Sequence, residues 1–536
     1  MESSGERVLL PQAEPSTGSK SGGRGGWPAA FFLIVVGFAE RAGLYGVECN
    51  LIMYLTGPLG MSTAAAAAGV NAWSGTAFML PLLGALVADS WIGRYRAVVA
   101  AGVLFLLGLG MLTFSSIVPP FHLHQPAPCE DVAAICSSPA SSGRVASFYV
   151  GLYLLAIAEG FYKPCSEALG ADQFTDSSPG GLASRSSFFN WLHFSMSWGY
   201  AISAAGMSYL QENVGWSVGY GACWGVMLVS LFVFLLGTGT YRLEQPRRDV
   251  ALLAGTFRET AKASTAGMFR RWDATDTESL LITPRGHRAD KWVLVKLLPI
   301  WMASVVFAVV NSQVSTLFTK QGSTMDRRIR IGTGSGLIVP PAALLSFISL
   351  AQMVSIPVYD RVLVPLARRV AKHPSGITML QRIGAGMSIS CLAMVTAATV
   401  EAERLRVARD AGLLDQPDVA VPMSLWWMVP QYAMFGVACM LTIVGLEEFF
   451  YDQVPDELRS VGLAACMSIN GVGSYVSGML VSAIDWATTS TGGESWFCNN
   501  LNRGHLDYFY WLLAGISAIQ VLGFLYIARN YVYANK

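Results

Sequence analysis

Two charged residues, Glu40 and Arg41, lie in the middle of the first long apolar stretch of the sequence, Trp27 to Leu55. A charge at the centre of a bilayer costs roughly 2.5–3.5 kcal/mol even on the insertion scales that give the lowest values. Two adjacent charges at that depth therefore face a partner or a water-filled cavity rather than lipid. The segment predicts a helix that lines a transport pathway. A structural ion pair that only holds two helices together is the alternative.

Composition places the whole chain among membrane proteins. Of its 536 residues, 53% are hydrophobic and 13% are charged, whereas globular domains have roughly 25% charged residues. The apolar residues form long blocks rather than the spaced pattern of an amphipathic soluble helix. These features exclude an ordinary soluble enzyme. The net charge of +1, with no basic run that could form a binding face, argues against a nucleic-acid partner.

Stretches of about 20 apolar residues predict an all-α membrane protein with twelve transmembrane helices. The predicted spans lie near residues 28–55, 67–88, 96–118, 145–165, 187–210, 215–239, 292–319, 337–359, 377–400, 423–450, 460–484 and 505–528. The longest polar interruption follows the sixth span and divides the set into two six-helix bundles. The predicted domains are a disordered cytosolic tail (1–26), an N-terminal bundle (27–239), a cytosolic linker (240–290), a C-terminal bundle (291–530) and a cytosolic tail (531–536).

The basic residues predict the orientation in the membrane. Most of them occur in the linker and in the loops that follow the second and eighth spans. Because an excess of Lys and Arg marks cytosolic loops, both termini are predicted to lie in the cytosol. The loop from Lys320 to Arg330 also carries basic residues on the other side and opposes this assignment.

The nine cysteines do not form a disulfide scaffold. Six lie in or beside predicted spans, where they serve as small apolar residues. Cys129 and Cys136 share an outward loop and could form a disulfide there, while Cys498 lies in another outward loop. No set of Cys and His residues has the spacing of metal ligands, so no cofactor is predicted.

Two loops at corresponding places in the two halves repeat one pattern, an acid followed by arginines. The first runs from Gly84 to Arg96 and the second from Tyr359 to Arg369. The repetition predicts two parallel six-helix repeats with a site between them at the membrane midplane, the arrangement of the major facilitator superfamily.

Motifs in both halves resemble those of the proton-dependent oligopeptide transporter family. The segment from Gly84 to Gly108 resembles a signature of that family, and other segments are similar to its plant nitrate/peptide branch, most of all to the fifth subfamily. These segments are Asn71-Ala-Trp-Ser-Gly, Lys163-Pro-Cys, Gly170-Ala-Asp-Gln-Phe174, Phe188-Phe-Asn-Trp191, Tyr359-Asp-Arg-Val, Trp426-Trp-x-x-Pro-Gln-Tyr432, Glu448-Phe-Phe-Tyr-Asp-Gln-x-Pro455 and Leu458-Arg-Ser460. The resemblance implies proton-coupled uptake of nitrate, small peptides or other small solutes by alternating access between the two bundles.

Three positions depart from the family pattern. The family's first-helix motif is Glu-x-x-Glu-Arg, and this chain has Gly37 in place of the first acid, which the family associates with proton coupling. Cys439 stands where the family commonly has an acid that, in peptide carriers, holds the peptide amino group. Ser197 replaces an Asn of the second signature. These departures argue against dipeptide transport and against the family's usual route of proton coupling.

Arg41 and Lys163 are the two cations at membrane depth in the first six spans. Arg can hold a planar oxyanion with two parallel hydrogen bonds, and Lys acts as a point charge. The sequence therefore predicts that both bind a substrate that carries negative charge. In the alternative, the pair of Glu40 and Lys163 only holds the bundle closed.

Glu40 and Glu159 are the predicted proton-coupling residues, with Glu48 as a third candidate that could be merely solvated. Glu159 precedes Lys163 by four residues and so shares its helix face. A carboxylate that shares its cation with the substrate can change its protonation when the substrate arrives.

Four further residues are predicted to line the substrate cavity. They are Asn311, Gln313, Tyr45 and Trp191. The two amides lie in the seventh span and offer neutral hydrogen-bonding groups. For all four, packing and interhelical hydrogen bonding are the alternative, because amide and aromatic residues often serve that purpose in membrane bundles.

The sequence thus predicts a secondary active transporter of a small anionic or carboxylate-bearing solute, such as nitrate or an organic anion, coupled to protons. It is expected in the plasma or vacuolar membrane, with the solute, protons and membrane lipid as partners. A facilitative carrier, a di- or tripeptide symporter and a transporter-like solute receptor are the alternatives. An enzyme is not predicted, because no nucleophile–base pair or phosphate-binding glycine loop stands near the midplane.

Overall fold

The computed structural model describes residues 25–117, 142–174, 181–243, 289–329, 337–363, 365–366, 369, 377–454, 459–490, 492 and 494–531. The proposed pairing of Cys129 with Cys136 lies outside the described residues. So do most of the predicted N-terminal tail, most of the linker, and the C-terminal tail beyond residue 531. The predicted domain boundaries therefore stay a prediction.

The first half of the chain folds into α1 (Trp27–Glu48), α2 (Leu51–Thr56), α3 (Thr63–Val87), α4 (Arg94–Ile117), α5 (Ser142–Ala171), α6 (Gly181–Ile202) and α7 (Trp216–Leu236). Short π-helical turns cover Ala88–Ile92, Ser203–Met207 and Leu210–Val214, and a 3-10 turn covers Gly237–Gly239.

The second half folds into α8 (Ala289–Asn311), α9 (Leu317–Ser323), α10 (Ser346–Val358), α11 (Met379–Asp410), α12 (Val429–Asp452), α13 (Arg459–Ser490) and α14 (Leu506–Asn530). A π-helical turn covers Tyr359–Leu363, and 3-10 turns cover Pro341–Leu345 and Leu425–Met428. Strand β1 (Met325–Asp326) pairs in parallel with β4 (Val421–Ser424), and β2 (Arg328–Ile329) pairs antiparallel with β3 (Leu337–Ile338).

These helices form twelve crossings, because α1 continues into α2 after a short break and α8 continues into α9 in the same way. In the described ranges, nine helical segments are long and apolar enough to span a bilayer by length and composition alone. The segments that contain α3, α6 and α8 complete the set. The predicted all-α fold is confirmed.

The close crossing of α3 and α5 fixes the height of the charged residues on α5. A Cβ added at Gly84 would lie 2.0 Å from the carbonyl oxygen of Gly160, so only glycine fits at this point of contact. Glu159 and Lys163 flank Gly160 on α5. The backbone contact therefore holds both side chains at a fixed depth in the bundle.

The two halves meet where α3 packs against α13 and α6 packs against α10. Several polar contacts join them on the face opposite the linker. Nζ of Lys320 donates to Oγ1 of Thr56 at 3.1 Å, and Arg327 forms an ion pair with Glu212 at 2.8 Å. These contacts close the bundle interface on that face.

A buried ion pair anchors the end of α11 that lies opposite the linker. The side chains of Arg404 and Glu401 are both 0% exposed and are joined by hydrogen bonds of 2.6 and 2.8 Å. Arg404 also donates to Oδ1 of Asn502 at 2.8 Å and to the carbonyl oxygen of Leu501 at 2.9 Å. The guanidinium thereby ties the segment before α14 to α11.

We expect Arg404→Ala to lower the free energy of unfolding by about 3–5 kcal/mol, because it leaves the Glu401 carboxylate buried without its partner. Arg406→Ala is the matched control, since Arg406 pairs with Glu403 at the surface, and exposed pairs contribute little. Thermal unfolding of the detergent-solubilised variants measures the difference. Equal melting temperatures for the two variants would contradict the prediction.

Candidate functional site

Glu40 and Arg41 form a buried pair on α1, with exposures of 0% and 2%. The guanidinium donates from Nε and Nη2 to the two carboxylate oxygens of Glu40 at 2.5 and 2.8 Å. This two-pronged contact satisfies both oxygens of Glu40 and leaves Nη1 of Arg41 for other partners.

Glu159 on α5 connects this pair to Lys163. Its Oε1 accepts a hydrogen bond from Nη1 of Arg41 at 3.2 Å and lies 3.7 Å from Nζ of Lys163. The Lys163 side chain is 20% exposed, against 9% for Glu159 and 2% for Arg41. Of the two cations, Lys163 is thus the more accessible and has the longer ion pair. We call Glu40, Arg41, Glu159 and Lys163 the charged cluster.

Tyr200 on α6 completes the surroundings of the charged cluster. Its hydroxyl accepts a hydrogen bond from Nη1 of Arg41 at 3.2 Å. Its ring meets that of Tyr45 edge to face, with 4.8 Å between the centroids. Tyr45 lies one turn after Arg41 on α1 and so packs beside the cluster. Its predicted contact with substrate stays a prediction.

Sequence reasoning missed Tyr200, because it is one of several aromatic residues in an apolar segment. Its role arises from the close approach of α6 to α1. A Cβ added at the neighbouring Gly199 would lie 2.8 Å from the carbonyl oxygen of Phe38. The adjacent glycine is the only local sign of this approach.

The two amides predicted in the seventh span have different surroundings. Oδ1 of Asn311 accepts a hydrogen bond from the thiol of Cys439 at 3.3 Å. Gln313 is fully buried, and its Nε2 donates to the carbonyl oxygen of Val309 and to Oγ of Ser477, both at 2.8 Å. Gln313 therefore helps to join α8 to α13, and its contact with substrate stays a prediction.

Trp191 lies on α6 with 57% of its surface exposed. Its ring packs edge to face against Phe194 at 5.8 Å. It makes no hydrogen bond to the part of the chain that the structure describes. Its proposed contact with substrate also stays a prediction.

Helix α12 brings an acid toward the charged cluster that sequence reasoning did not use. The carboxyl of Glu447 interacts electrostatically with Glu167 and Lys163, both on α5. Helix α12 thus faces the first half across the bundle interface. Glu447 directly precedes Glu448, where the family motif begins, and lies outside that motif.

At Gly37, where the family has its first acid, the space is filled by α6. A Cβ added there would lie 2.8 Å from Cδ1 of Leu192 and 3.7 Å from Cγ of Met196. The loss of the acid is thus accompanied by close packing of α1 on α6.

In the described ranges no three His, Cys, Asp or Glu residues are arranged to hold a metal ion.

Known proteins are similar to this chain in both sequence and fold. Residues 95–497 match the family model described as PTR2, the POT family. Protein NRT1/PTR FAMILY 5.10 of Arabidopsis thaliana is 46% identical over 542 residues, which cover 97% of this chain and 95% of the relative. NRT1/PTR FAMILY 5.15 of the same plant is 44% identical over 95% of this chain and 94% of its own length.

Two solved structures share the fold at low sequence identity. A crystal structure of an auto-inhibited POT family peptide transporter has a TM-score of 0.71 and 19% identity, and the match covers 95% of this chain and 98% of that one. A POT family transporter in complex with 5-aminolevulinic acid has a TM-score of 0.66 and 15% identity, over 94% of this chain and 96% of that one.

Proposed function

Because the chain belongs to the POT family, we propose that it carries a small anionic or carboxylate-bearing solute together with protons, and that the solute binds at the charged cluster. The relatives confirm the family resemblance seen in the sequence, including the fifth subfamily of the plant branch. It also confirms the major facilitator fold of two six-helix bundles. The protein is a multi-pass membrane transporter and not an enzyme.

The proposal depends on one observation, that two cations share one oxygen of Glu159. The charged cluster holds two carboxylates and two cations, so its net charge is zero when all four are ionised. An anion at Lys163 adds one negative charge, and a proton on Glu159 removes one. Anion and proton together therefore leave the buried cluster neutral, which a low-dielectric site favours.

Further carboxyl groups near the cluster strengthen the link to protons. Glu48 interacts electrostatically with Glu159, and Glu167 and Glu447 interact with Lys163. Because like charges disfavour one another's ionised forms, an anion enters this region more readily when protons accompany it.

Lys163 is the proposed anion ligand because its contacts are the easiest to exchange. Its ammonium lies 3.7 Å from Glu159 and 5.4 Å from the ring centroid of Phe78. The donors of Arg41 are occupied by Glu40, Glu159 and Tyr200. Arg41 thus holds the two acids in place, and its direct contact with substrate stays a prediction.

The contacts between the halves support alternating access. They close the face opposite the linker, as expected for one end state of a carrier that rocks about a central site. The distribution of basic loops favours an orientation with the linker and both termini in the cytosol. The plasma membrane and the vacuolar membrane both fit this orientation.

Uptake by reconstituted proteoliposomes tests the proposal, with nitrate and a panel of small carboxylates as solutes. Accumulation above the equilibrium level when an inward proton gradient is imposed would support it. Movement only down the solute gradient would identify a facilitative carrier. Saturable binding without flux would identify a solute receptor.

A solute that also bears an amino group, such as a di- or tripeptide, is the second candidate. The observation in its favour is Glu447, which faces Lys163 from α12. An ammonium could interact with this acid while a carboxylate contacts Lys163. The neutral Cys439 argues against it, because an ammonium beside the thiol would lack a charged partner.

We expect dipeptide uptake to be at least about tenfold weaker than uptake of the best anion. The peptide ammonium would be buried beside the neutral Cys439 thiol, and burying a charge without an acidic partner is costly. Cys439→Glu should raise dipeptide uptake by supplying that acid. Labelled dipeptide uptake by both forms and by Glu447→Gln measures this. Strong uptake by the unmodified protein that Glu447→Gln abolishes would establish the second candidate instead.

A further inference from the structure

The second half of the chain places an uncharged pair, Asn311 on α8 and Cys439 on α12, opposite the charged cluster. Their depth follows from the residues on either side of Cys439 along α12. Tyr432, two turns earlier, interacts electrostatically with Tyr45, and Glu447, two turns later, interacts with Lys163. Cys439 therefore lies between the levels of Tyr45 and Lys163.

The hydrogen bond within this pair fixes the orientation of the amide. The Cys439 thiol donates to Oδ1 of Asn311 at 3.3 Å, so the carbonyl oxygen is occupied and the NH2 group points away from Cys439. Nothing in the described part of the chain accepts a hydrogen bond from Nδ2. Asn311 is half-buried, whereas Cys439 is only 5% exposed, which leaves the NH2 group on the more accessible side of the pair.

Gln313, two residues later, provides an internal comparison. Its Nε2 already donates to Val309 and Ser477, and the side chain is 0% exposed. The two amides thus differ in the number of N–H donors that are free to bind a solute. Both N–H groups of Gln313 donate hydrogen bonds within the protein, whereas the two N–H groups of Asn311 are available to another molecule.

We infer that Asn311 is a second substrate contact that donates hydrogen bonds to the end of the solute remote from Lys163. This inference rests on the proposed function. An amide NH2 group has donors only, so the remote end must carry an acceptor oxygen. The substrate class is therefore a small carboxylate with a second acceptor, such as a hydroxy acid, an oxo acid or a dicarboxylate, rather than a carboxylate with an apolar tail.

Cys439 acts in this arrangement as a positioning residue. Without a donor at position 439, the Asn311 amide can turn over and present its carbonyl oxygen to the solute, which would repel an acceptor. Ser at this position keeps a donor, and Ala removes it. The thiol thereby sets which kind of group the second half recognises.

The test compares two monoanions of equal chain length, 4-hydroxybutyrate and butyrate, by calorimetric titration of the purified protein. We expect the native protein to bind 4-hydroxybutyrate about tenfold more tightly, because a site built around hydrogen-bond donors disfavours a ligand that leaves them unpaired. Asn311→Ala should remove this preference by weakening 4-hydroxybutyrate alone. Cys439→Ala should reduce the preference, and Cys439→Ser should restore it.

Other outcomes would overturn the inference in distinguishable ways. Equal affinity of the native protein for the two acids, or an equal loss of both in Asn311→Ala, would contradict the role of Asn311 and leave the proposed function intact. Failure of the native protein to bind either acid would contradict this inference, whereas the proposed function fails only if the proteoliposomes take up neither nitrate nor any carboxylate of the panel.

Discussion

Replacement of Lys163 by Ala is expected to abolish transport while the protein still folds and reaches the membrane. The ammonium is the accessible cation of the charged cluster, and the solute loses its countercharge without it. Glu159 keeps its hydrogen bond from Arg41 at 3.2 Å, so the substitution does not leave a buried acid without a partner. Uptake of labelled solute, normalised to the amount of protein in the membrane, measures the loss.

Lys163→Arg should not restore full transport. A guanidinium is planar and can hold the Glu159 carboxylate with two parallel hydrogen bonds, which would stabilise the ion pair that the solute must replace. Lys296→Ala is the matched control, because Lys296 lies exposed near the linker end of α8 and should leave uptake unchanged. Normal uptake by Lys163→Ala would remove this residue from the mechanism.

The charged cluster could be predicted in part because ionised residues stand out in apolar sequence. This contrast identifies all four residues of the cluster, Glu40, Arg41, Glu159 and Lys163. Their pairing could not be read from the sequence, since helix spacing relates Glu159 to Lys163 but says nothing of α1 against α5. The structure joins Glu40 to Arg41 and Glu159 to Lys163, whereas the structural alternative considered from the sequence paired Glu40 with Lys163.

The spans illustrate the same limit. Hydropathy predicts that the ninth span ends near residue 400, and the helix continues to Asp410. The extension carries Glu401 and Arg404, which lower the hydropathy although they are fully buried as a pair. Hydropathy treats each charged residue separately and therefore places Glu401 and Arg404 outside the membrane span. In the structure the two side chains pair three residues apart on the same helix, and both are buried.

We expect transport by the native protein to rise at acid pH, and Glu159→Gln to lose that dependence while downhill flux persists. Gln has nearly the same shape as Glu and can still accept the hydrogen bond from Arg41, but it cannot take up a proton. Glu403→Gln is the matched control. It removes an acid that lies at the surface of α11 and pairs there with Arg406, outside the charged cluster, and it should keep the pH dependence.

The absence of the family's first acid gives the competing expectation. If coupling disappeared with that acid, the native protein should be nearly insensitive to pH, and restoring an acid at position 37 should introduce acid stimulation. Gly37→Glu alone would press on Leu192, which lies 2.8 Å from the added Cβ, so the acid should be introduced together with Leu192→Ala, and Leu192→Ala alone controls for the space. Proton-driven currents of the native, Glu159→Gln and Gly37→Glu/Leu192→Ala proteins decide between the two expectations. Acid-driven accumulation that survives Glu159→Gln unchanged would show that another group carries the proton. The reason is that Gln cannot be protonated at this position, and the variant differs from the native protein in this side chain alone.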